Sequence, residues 1–156
     1  MSREQDILVI GYGNELRGDD ALGPCIVREL ERRALPGVRT WTLTQLTPEL
    51  AADLAESHAA IFVDARFADE EDEVRVAALF PAGDRAWGTH FSDPAALLAM
   101  AQLLYGHAPP AWLVTVVGAT FDPGSELSTQ AVRGMDRAVS RLEQLIQELN
   151  AQKALL

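Results

Sequence analysis

The chain of 156 residues is long enough to bury about 68–70% of its unfolded surface, and we expect one domain spanning residues 1–156. Its 23 acidic and 13 basic side chains give a net charge of −10, which disfavours nucleic acid and anionic membranes as partners because like charges repel. The N-terminus lacks a signal-peptide core, no segment reaches the ~20 apolar residues of a membrane span, and the single cysteine excludes an internal disulfide. We therefore expect a soluble, cytoplasmic protein, and we take a monomer as the default state.

The first predicted strand covers residues 6–11 and is a continuous aliphatic run, as in parallel strands that are buried on both faces. Gly11 and Gly13 permit a sharp turn after this strand. The turn is followed by two adjacent carboxylates, Asp19 and Asp20, just before a helical pattern begins. Because ligands of open α/β sheets bind beyond the carboxyl ends of the strands, the acid pair marks a candidate site.

Strands and helices continue to alternate along the first half of the chain. The first helix is predicted over residues 21–33 and the second strand over 38–43. A threonine, a proline and a glutamate favour the start of a short helix over 47–56. The third strand, 59–64, is again aliphatic and is predicted to end at a carboxylate, Asp64.

The second half of the chain predicts two more strands and two more helices. An acidic loop leads to a strand over 73–80, and an irregular segment containing His90 follows. A helix capped by a Ser-Asp-Pro sequence is predicted over 92–105, a strand over 112–117 and a long helix over 128–150. Apolar side chains at helical spacing are expected to pack the long helix on the sheet: Val132, Met135, Val139, Leu142, Ile146 and Leu149.

This alternation predicts a single-domain, three-layer αβα sandwich with a mostly parallel, twisted sheet. If the strand order is the common 2-1-3-4-5, the first and third strands are neighbours. Asp20 and Asp64 then converge at the same edge of the sheet.

Two nucleotide-binding motifs do not fit the glycine turn. A dinucleotide fingerprint needs a third glycine three residues after Gly13, where this chain has Leu16, and the acid pair repels a pyrophosphate. A P-loop is excluded because the chain contains neither Gly-Lys-Ser nor Gly-Lys-Thr.

Single residues of the same region have simpler interpretations. Asp19 is expected to act as a helix N-cap or as a hydrogen-bonding loop residue rather than as a catalyst. Cys25 lies near a helix start, but no histidine is placed as its base, so we expect a core residue rather than a nucleophile.

The glycine turn, the acid pair and the order of the elements make the chain similar to the hydrogenase maturation endopeptidases, which trim the C-terminal tail of the [NiFe]-hydrogenase large subunit. That family begins with a strand, Gly-x-Gly-Asn, a leucine and an acid pair before a helix, and residues 11–23 follow this pattern. The resemblance implies that Asp20, the second acid, is a metal ligand. It implies the same role for Asp64 in Phe-Val-Asp-Ala, and for His90, which precedes a leucine-rich helix.

The resemblance further implies an aspartic-type endopeptidase in which Asp20, Asp64 and His90 are both the catalytic and the metal-recognising residues. They approach nickel that is already inserted in the large-subunit precursor, which is the expected partner. Two carboxylates and one imidazole suit a divalent ion with open positions, and we expect the free enzyme to bind it weakly. A water polarised by the metal or a carboxylate is expected to attack the peptide carbonyl.

Two other functions remain open. A nickel-sensing chaperone of hydrogenase assembly would bind the precursor without cleaving it. A nucleoside-processing hydrolase with a similar sheet would need a base-binding or phosphate-binding loop, which the sequence does not show. Cleavage of a tailed precursor separates the protease from the chaperone.

Overall fold

A computed structural model describes residues 6–67, 72–83 and 93–155 of the protein. These residues form an α/β fold in which strands and helices alternate, as predicted. The elements within the described ranges are β1 (Ile7–Tyr12), α1 (Leu22–Arg32), β2 (Val38–Leu43), α2 (Leu50–Ala55), β3 (Ala59–Phe67), β4 (Val74–Leu79), α3 (Pro94–Tyr105), β5 (Ala111–Gly118) and α4 (Thr129–Ala154).

The five strands form one sheet in the order β2-β1-β3-β5-β4, with β4 antiparallel to β5 and all other neighbours parallel. The neighbouring position of the first and third strands is confirmed, but the order 2-1-3-4-5 is wrong because the last two strands are exchanged. The connection from β3 to β4 is shorter than the crossover of roughly a dozen residues that a parallel neighbour requires, so β4 reverses direction. The better buried β5 takes the inner position, and β4 lies at the edge.

Helices cover both faces of the sheet and complete the predicted three-layer sandwich. Side chains of β1 alternate between two cores: Ile7 and Val9 pack with α1 and α4, whereas Leu8 and Ile10 pack with α2 and α3. All four of these side chains are fully buried, which explains the continuous aliphatic run. No helix in the described ranges is long and apolar enough to cross a membrane.

Two helix starts show how the local sequence sets a boundary. The predicted helix over 47–56 begins only at Leu50, because Thr47 belongs to the preceding turn and its carbonyl accepts the Leu50 N–H at 3.1 Å. The start of α3 follows the prediction more closely. The Asp93 carboxylate accepts the Ala95 N–H at 3.0 Å, and a proline occupies the first turn.

The face of α4 that contacts the sheet differs in part from the prediction. Val132 is 46% exposed, while Ala131 and Ala138 are fully buried. The N-terminal half of α4 approaches β5 so closely that a Cβ at Gly134 would lie 2.7 Å from Cγ1 of Val116. Small residues therefore form the contact there. The remaining predicted positions are confirmed as buried or partly buried against the core: Met135, Val139, Leu142, Ile146 and Leu149.

The start of α1 lies in direct backbone contact with the end of β1 and with the middle of β3. A Cβ built on Gly23 would lie 2.5 Å from the Val63 carbonyl oxygen and 2.6 Å from that of Tyr12. Backbone atoms in the middle of a sheet cannot move aside as a flexible side chain does. Glycine at this position therefore lets the first turn of the helix pack directly against the backbone of β1 and β3.

We predict that Gly23→Ala lowers the free energy of unfolding by about 3 kcal/mol, since the added methyl group overpacks a rigid contact. Urea unfolding followed by circular dichroism measures the change. Gly83→Ala is the matched control, because no atom of the described residues, apart from the chain neighbours, lies within 4 Å of a Cβ at that position. Equal denaturation midpoints for the two variants would contradict the predicted role of the contact.

Candidate functional site

Asp20 and Asp64 lie at the same edge of the sheet. Asp20 belongs to a 3-10 turn, Gly18–Ala21, that joins β1 to α1. Asp64 lies within β3, which does not end there as predicted but continues to Phe67, because it pairs with β5 as far as Gly118. The two carboxylates are close enough for the charge of Asp20 to raise the pKa of Asp64. The expected convergence of the two acids is therefore present in the structure.

The Asp20 carboxylate is held by the turn that precedes it. Its Oδ2 accepts the backbone N–H of Asn14 at 2.7 Å, and its own N–H donates to the Arg17 carbonyl at 3.2 Å. A Cβ at Gly13, whose φ is +151°, would lie 1.9 Å from the Asp20 carbonyl oxygen. Glycine at that position thus lets the chain fold back on Asp20, so that the N–H of Asn14 reaches the carboxylate.

Asp64 has an unusual carboxylate. Burial, and to a smaller extent the nearby charge of Asp20, raise its pKa from 3.8 to about 6, against the lowering effect of hydrogen bonds from Ala65 and Tyr12. The Ala65 N–H donates to Asp64 Oδ1 at 2.8 Å. Asp64 is therefore ionised at neutral pH but gains a proton more readily than an exposed aspartate.

Tyr12 is a site residue that the sequence reasoning did not identify. Burial raises the pKa of its phenol, and the charge of Asp64, to which the hydroxyl donates a hydrogen bond, raises it further. Tyr12 lies on the same face of β1 as Leu8 and Ile10, which follows from the two-residue period of a strand. That period was the available signal, because it directs the Tyr12 side chain to the face on which Asp64 also lies.

Asp19 points away from Asp20 and is fully buried. It hydrogen-bonds to the loop between β5 and α4, including the backbone N–H and hydroxyl of Ser128. Burial alone would raise its pKa, but the hydrogen bonds from Ser128, Ala119 and Thr120 outweigh this effect and hold the pKa below its usual value. The expected hydrogen-bonding role is confirmed, although the partners lie about a hundred residues away in the chain.

The third predicted ligand, His90, lies outside the described residues. Asp93, three positions later, starts α3 and lies close enough to Tyr12 for its charge to raise the pKa of that phenol. Among residues 6–67, 72–83 and 93–155, no group of three acidic, histidine or cysteine side chains is placed to hold a metal ion. The roles of Asp20, Asp64 and His90 as metal ligands therefore stay a prediction.

Cys25 does not have the properties of an activated nucleophile. Burial raises the pKa of its thiol, the charge of Glu15 raises it further, and Arg28 offsets this only in part. The side chain is half-buried in α1 rather than part of the core, which corrects the prediction of a core residue.

The pKa of Asp64 predicts a pH-dependent contribution to stability. The folded state binds more protons than the unfolded chain between pH 4 and 6, so the free energy of unfolding falls as the pH rises through that window. From the two pKa values, the loss is on the order of 3 kcal/mol at pH 7. Asp64→Asn has no charge to bury and should therefore be more stable than the natural protein at pH 7.

Urea unfolding of both proteins at pH 4 and pH 7 tests this prediction. The advantage of Asp64→Asn should be large at pH 7 and small at pH 4. At pH 4 Asp64 is protonated in the folded state and is therefore as uncharged as the asparagine. A stability difference that is the same at both pH values would show that Asp64 is not buried with an unfavourable charge.

The sequence matches no protein-family model and no curated protein, whereas comparison with solved structures gives strong matches. The hydrogenase maturating endopeptidase HybD of E. coli superposes with a TM-score of 0.73 at 22% identity, over 92% of this chain and 93% of that one. An endopeptidase from Escherichia coli, solved in solution, gives 0.71 at 24% identity over the same shares. The [NiFe] hydrogenase maturation protease HybD of Thermococcus kodakarensis gives 0.66 at 21% identity, over 90% of this chain and 98% of that one.

These matches cover nearly the full length of each chain. They confirm the fold that the glycine turn and the acid pair led us to expect. The protein has the fold of the hydrogenase maturation proteases.

Proposed function

We propose that the protein is an endopeptidase that removes the C-terminal extension of a [NiFe]-hydrogenase large-subunit precursor after nickel insertion. One observation carries this proposal: Asp20 and Asp64 lie close together where the pairing of β1 with β3 ends, in the fold of proteases that are named for hydrogenase maturation. The sequence motif supports it independently, because the acid pair follows the Gly-x-Gly-Asn turn at the family's spacing.

The electrostatics of the two carboxylates support recognition of a cation. Two neighbouring negative charges repel each other, and the burial of Asp64 increases the cost of its charge. A divalent ion between them relieves both effects, and carboxylate oxygens with an imidazole nitrogen are suitable ligands for nickel. In this proposal His90 is the third ligand and the nickel belongs to the precursor, so the free enzyme binds the metal weakly.

The same carboxylates provide the chemistry of peptide hydrolysis. A general base works best when its pKa lies near the working pH, and the pKa of Asp64 is about 6. We propose that Asp64 accepts a proton from the water that attacks the scissile carbonyl, while the Tyr12 hydroxyl orients the carboxylate.

The cytoplasmic location, the monomeric state and the absence of nucleic-acid and membrane partners form part of this proposal.

Asp20→Asn, Asp64→Asn and His90→Ala should each slow processing at least about 100-fold, because each removes a group that acts on the reacting centre. The measurement is the intact mass of a C-terminally extended large subunit, incubated with the protein with and without prior nickel loading. A single C-terminal loss is expected only in the nickel-loaded sample. Asp136→Asn is the control, since Asp136 is exposed on α4 and should leave the rate unchanged.

The outcomes separate the protease from its alternative. Binding of the precursor without any loss of mass, in either sample, would replace the protease with a nickel-sensing chaperone. Normal processing by His90→Ala would remove that residue from the site while leaving the protease activity in place.

We also predict that Cys25→Ser processes the precursor at the natural rate. The thiol has a raised pKa and is therefore mostly protonated at neutral pH, which makes it a poor nucleophile. Treatment of the natural protein with iodoacetamide gives a second measurement of the same point. Loss of processing in both experiments would assign the attack to Cys25 instead of water.

A further inference from the structure

We propose that Asp19 is a positioning residue for Asp20, and this inference rests on the function proposed above. Asp19 locks the acid-pair loop, residues 13–21, to the β5–α4 loop, residues 119–128. It does so from the buried side of the loop, while Asp20 faces the site. The adjacent carboxylates therefore have separate tasks, one structural and one chemical.

The contacts of Asp19 occupy both oxygens of its carboxylate. Oδ2 accepts the N–H of Ala119 at 2.6 Å, the N–H of Thr120 at 3.0 Å and the hydroxyl of Ser128 at 2.6 Å. Oδ1 accepts the N–H of Ser128 at 2.7 Å. With four donors and no exposed surface, the side chain has no room to contact a substrate. Charge-assisted hydrogen bonds of this kind are stronger than neutral ones, so they hold the acid-pair loop firmly against the β5–α4 loop.

Ser128 links the lock to helix α4. Its hydroxyl donates to Asp19 and accepts the N–H of Ala131 at 3.0 Å, which caps the first turn of the helix. Movement of Asp19 would therefore also disturb the start of α4. The acid-pair loop is in this way tied to the longest helix of the fold.

Further contacts join the two loops close to the Asp19 carboxylate. The Asp19 N–H donates to the Thr120 carbonyl at 2.6 Å, and the Gly124 N–H donates to the Leu16 carbonyl at 2.7 Å. The Arg17 Nε donates to the Phe121 carbonyl at 3.3 Å. The acid-pair loop is thus attached through residues 16–19 to one other loop. Among these contacts between the two loops in the described residues, Asp19 supplies the only carboxylate.

The attachment of the acid-pair loop to the β5–α4 loop also fixes the position of Asp20. It is the next residue in the chain, and its N–H is bound to the Arg17 carbonyl of the same loop. A shift of Asp19 would move the Asp20 carboxylate away from the Asn14 N–H, which it now meets at 2.7 Å. Misplacement of a reacting group by about 1 Å can cost about 100-fold in rate.

Asp19→Asn tests the proposal, because the amide keeps the shape of the side chain but cannot accept all four hydrogen bonds. We expect kcat for the nickel-loaded precursor to fall about 100-fold while KM stays near its natural value. The second readout is the amide resonance of Asn14 in a ¹H–¹⁵N spectrum. It should move upfield in Asp19→Asn, as it should in Asp20→Asn, because both variants weaken the hydrogen bond to Asp20.

Three companion variants separate positioning from general destabilisation. Ser128→Ala removes one donor to Asp19 and should lower kcat less than Asp19→Asn does, whereas Ser128→Thr keeps the hydroxyl and should restore it. Val139→Ala creates a cavity in the buried face of α4, far from both loops, and should lower stability without changing kcat or the Asn14 resonance. If Asp19→Asn does not fold, the two Ser128 variants decide the question.

A natural kcat and an unshifted Asn14 resonance in Asp19→Asn would overturn the proposal. So would equal kcat values for Ser128→Ala and Ser128→Thr. The spectrum requires no substrate, so it tests the lock even if the natural protein cleaves no precursor. That result would refute the proposed protease while leaving the positioning of Asp20 measurable.

Discussion

The backbone contact of α1 with β1 and β3, at the point where the pairing of these two strands ends, determines where the acid pair lies. Gly11 and Gly23 leave no space for a side chain between the helix and the strands, so the turn that joins β1 to α1 is confined to the edge of the sheet. This confinement brings Asp20 beside Asp64 of the neighbouring strand. The two charged groups therefore meet because of close packing between backbones, and not because they attract each other.

The fold shifts the pKa values of two of its aspartates, Asp19 and Asp64, in opposite directions. Asp19 is fully buried, but four hydrogen bonds from the β5–α4 loop stabilise its charge and lower its pKa. Asp64 receives fewer compensating contacts and lies close to another negative charge, so its pKa rises to about 6. Burial acts on both carboxylates in the same direction. The number of donors around each one decides the sign of the result.

The sequence predicted the layers, the central strand pair and the convergence of the acids, because these depend on local periodicity and on glycine. The strand over residues 38–43 was predicted with both of its end residues correct.

The exchange of β4 and β5 was missed because it depends on which of the two strands is better buried, and their burial is determined by segments that are distant in the chain. The exposure of Val132 was missed for a related reason. Apolar periodicity does not reveal that α4 contacts the sheet through alanine and glycine. The four partners of Asp19 likewise follow only from long-range loop packing.

Comparison of Asp19 with Asp64 also bears on function. The stabilised charge of Asp19 shows that this end of the sheet can provide a buried carboxylate with a full set of donors. Asp64 has hydrogen bonds only from Ala65 and Tyr12 among the described residues, although its charge lowers the stability of the folded state at neutral pH. Costly arrangements of this kind are concentrated at functional sites, where a ligand removes the cost when it binds. A cation carried by a partner would do so here, and it would also reduce the repulsion between Asp64 and Asp20. The electrostatic cost at Asp64 thus favours a site that is completed by its substrate.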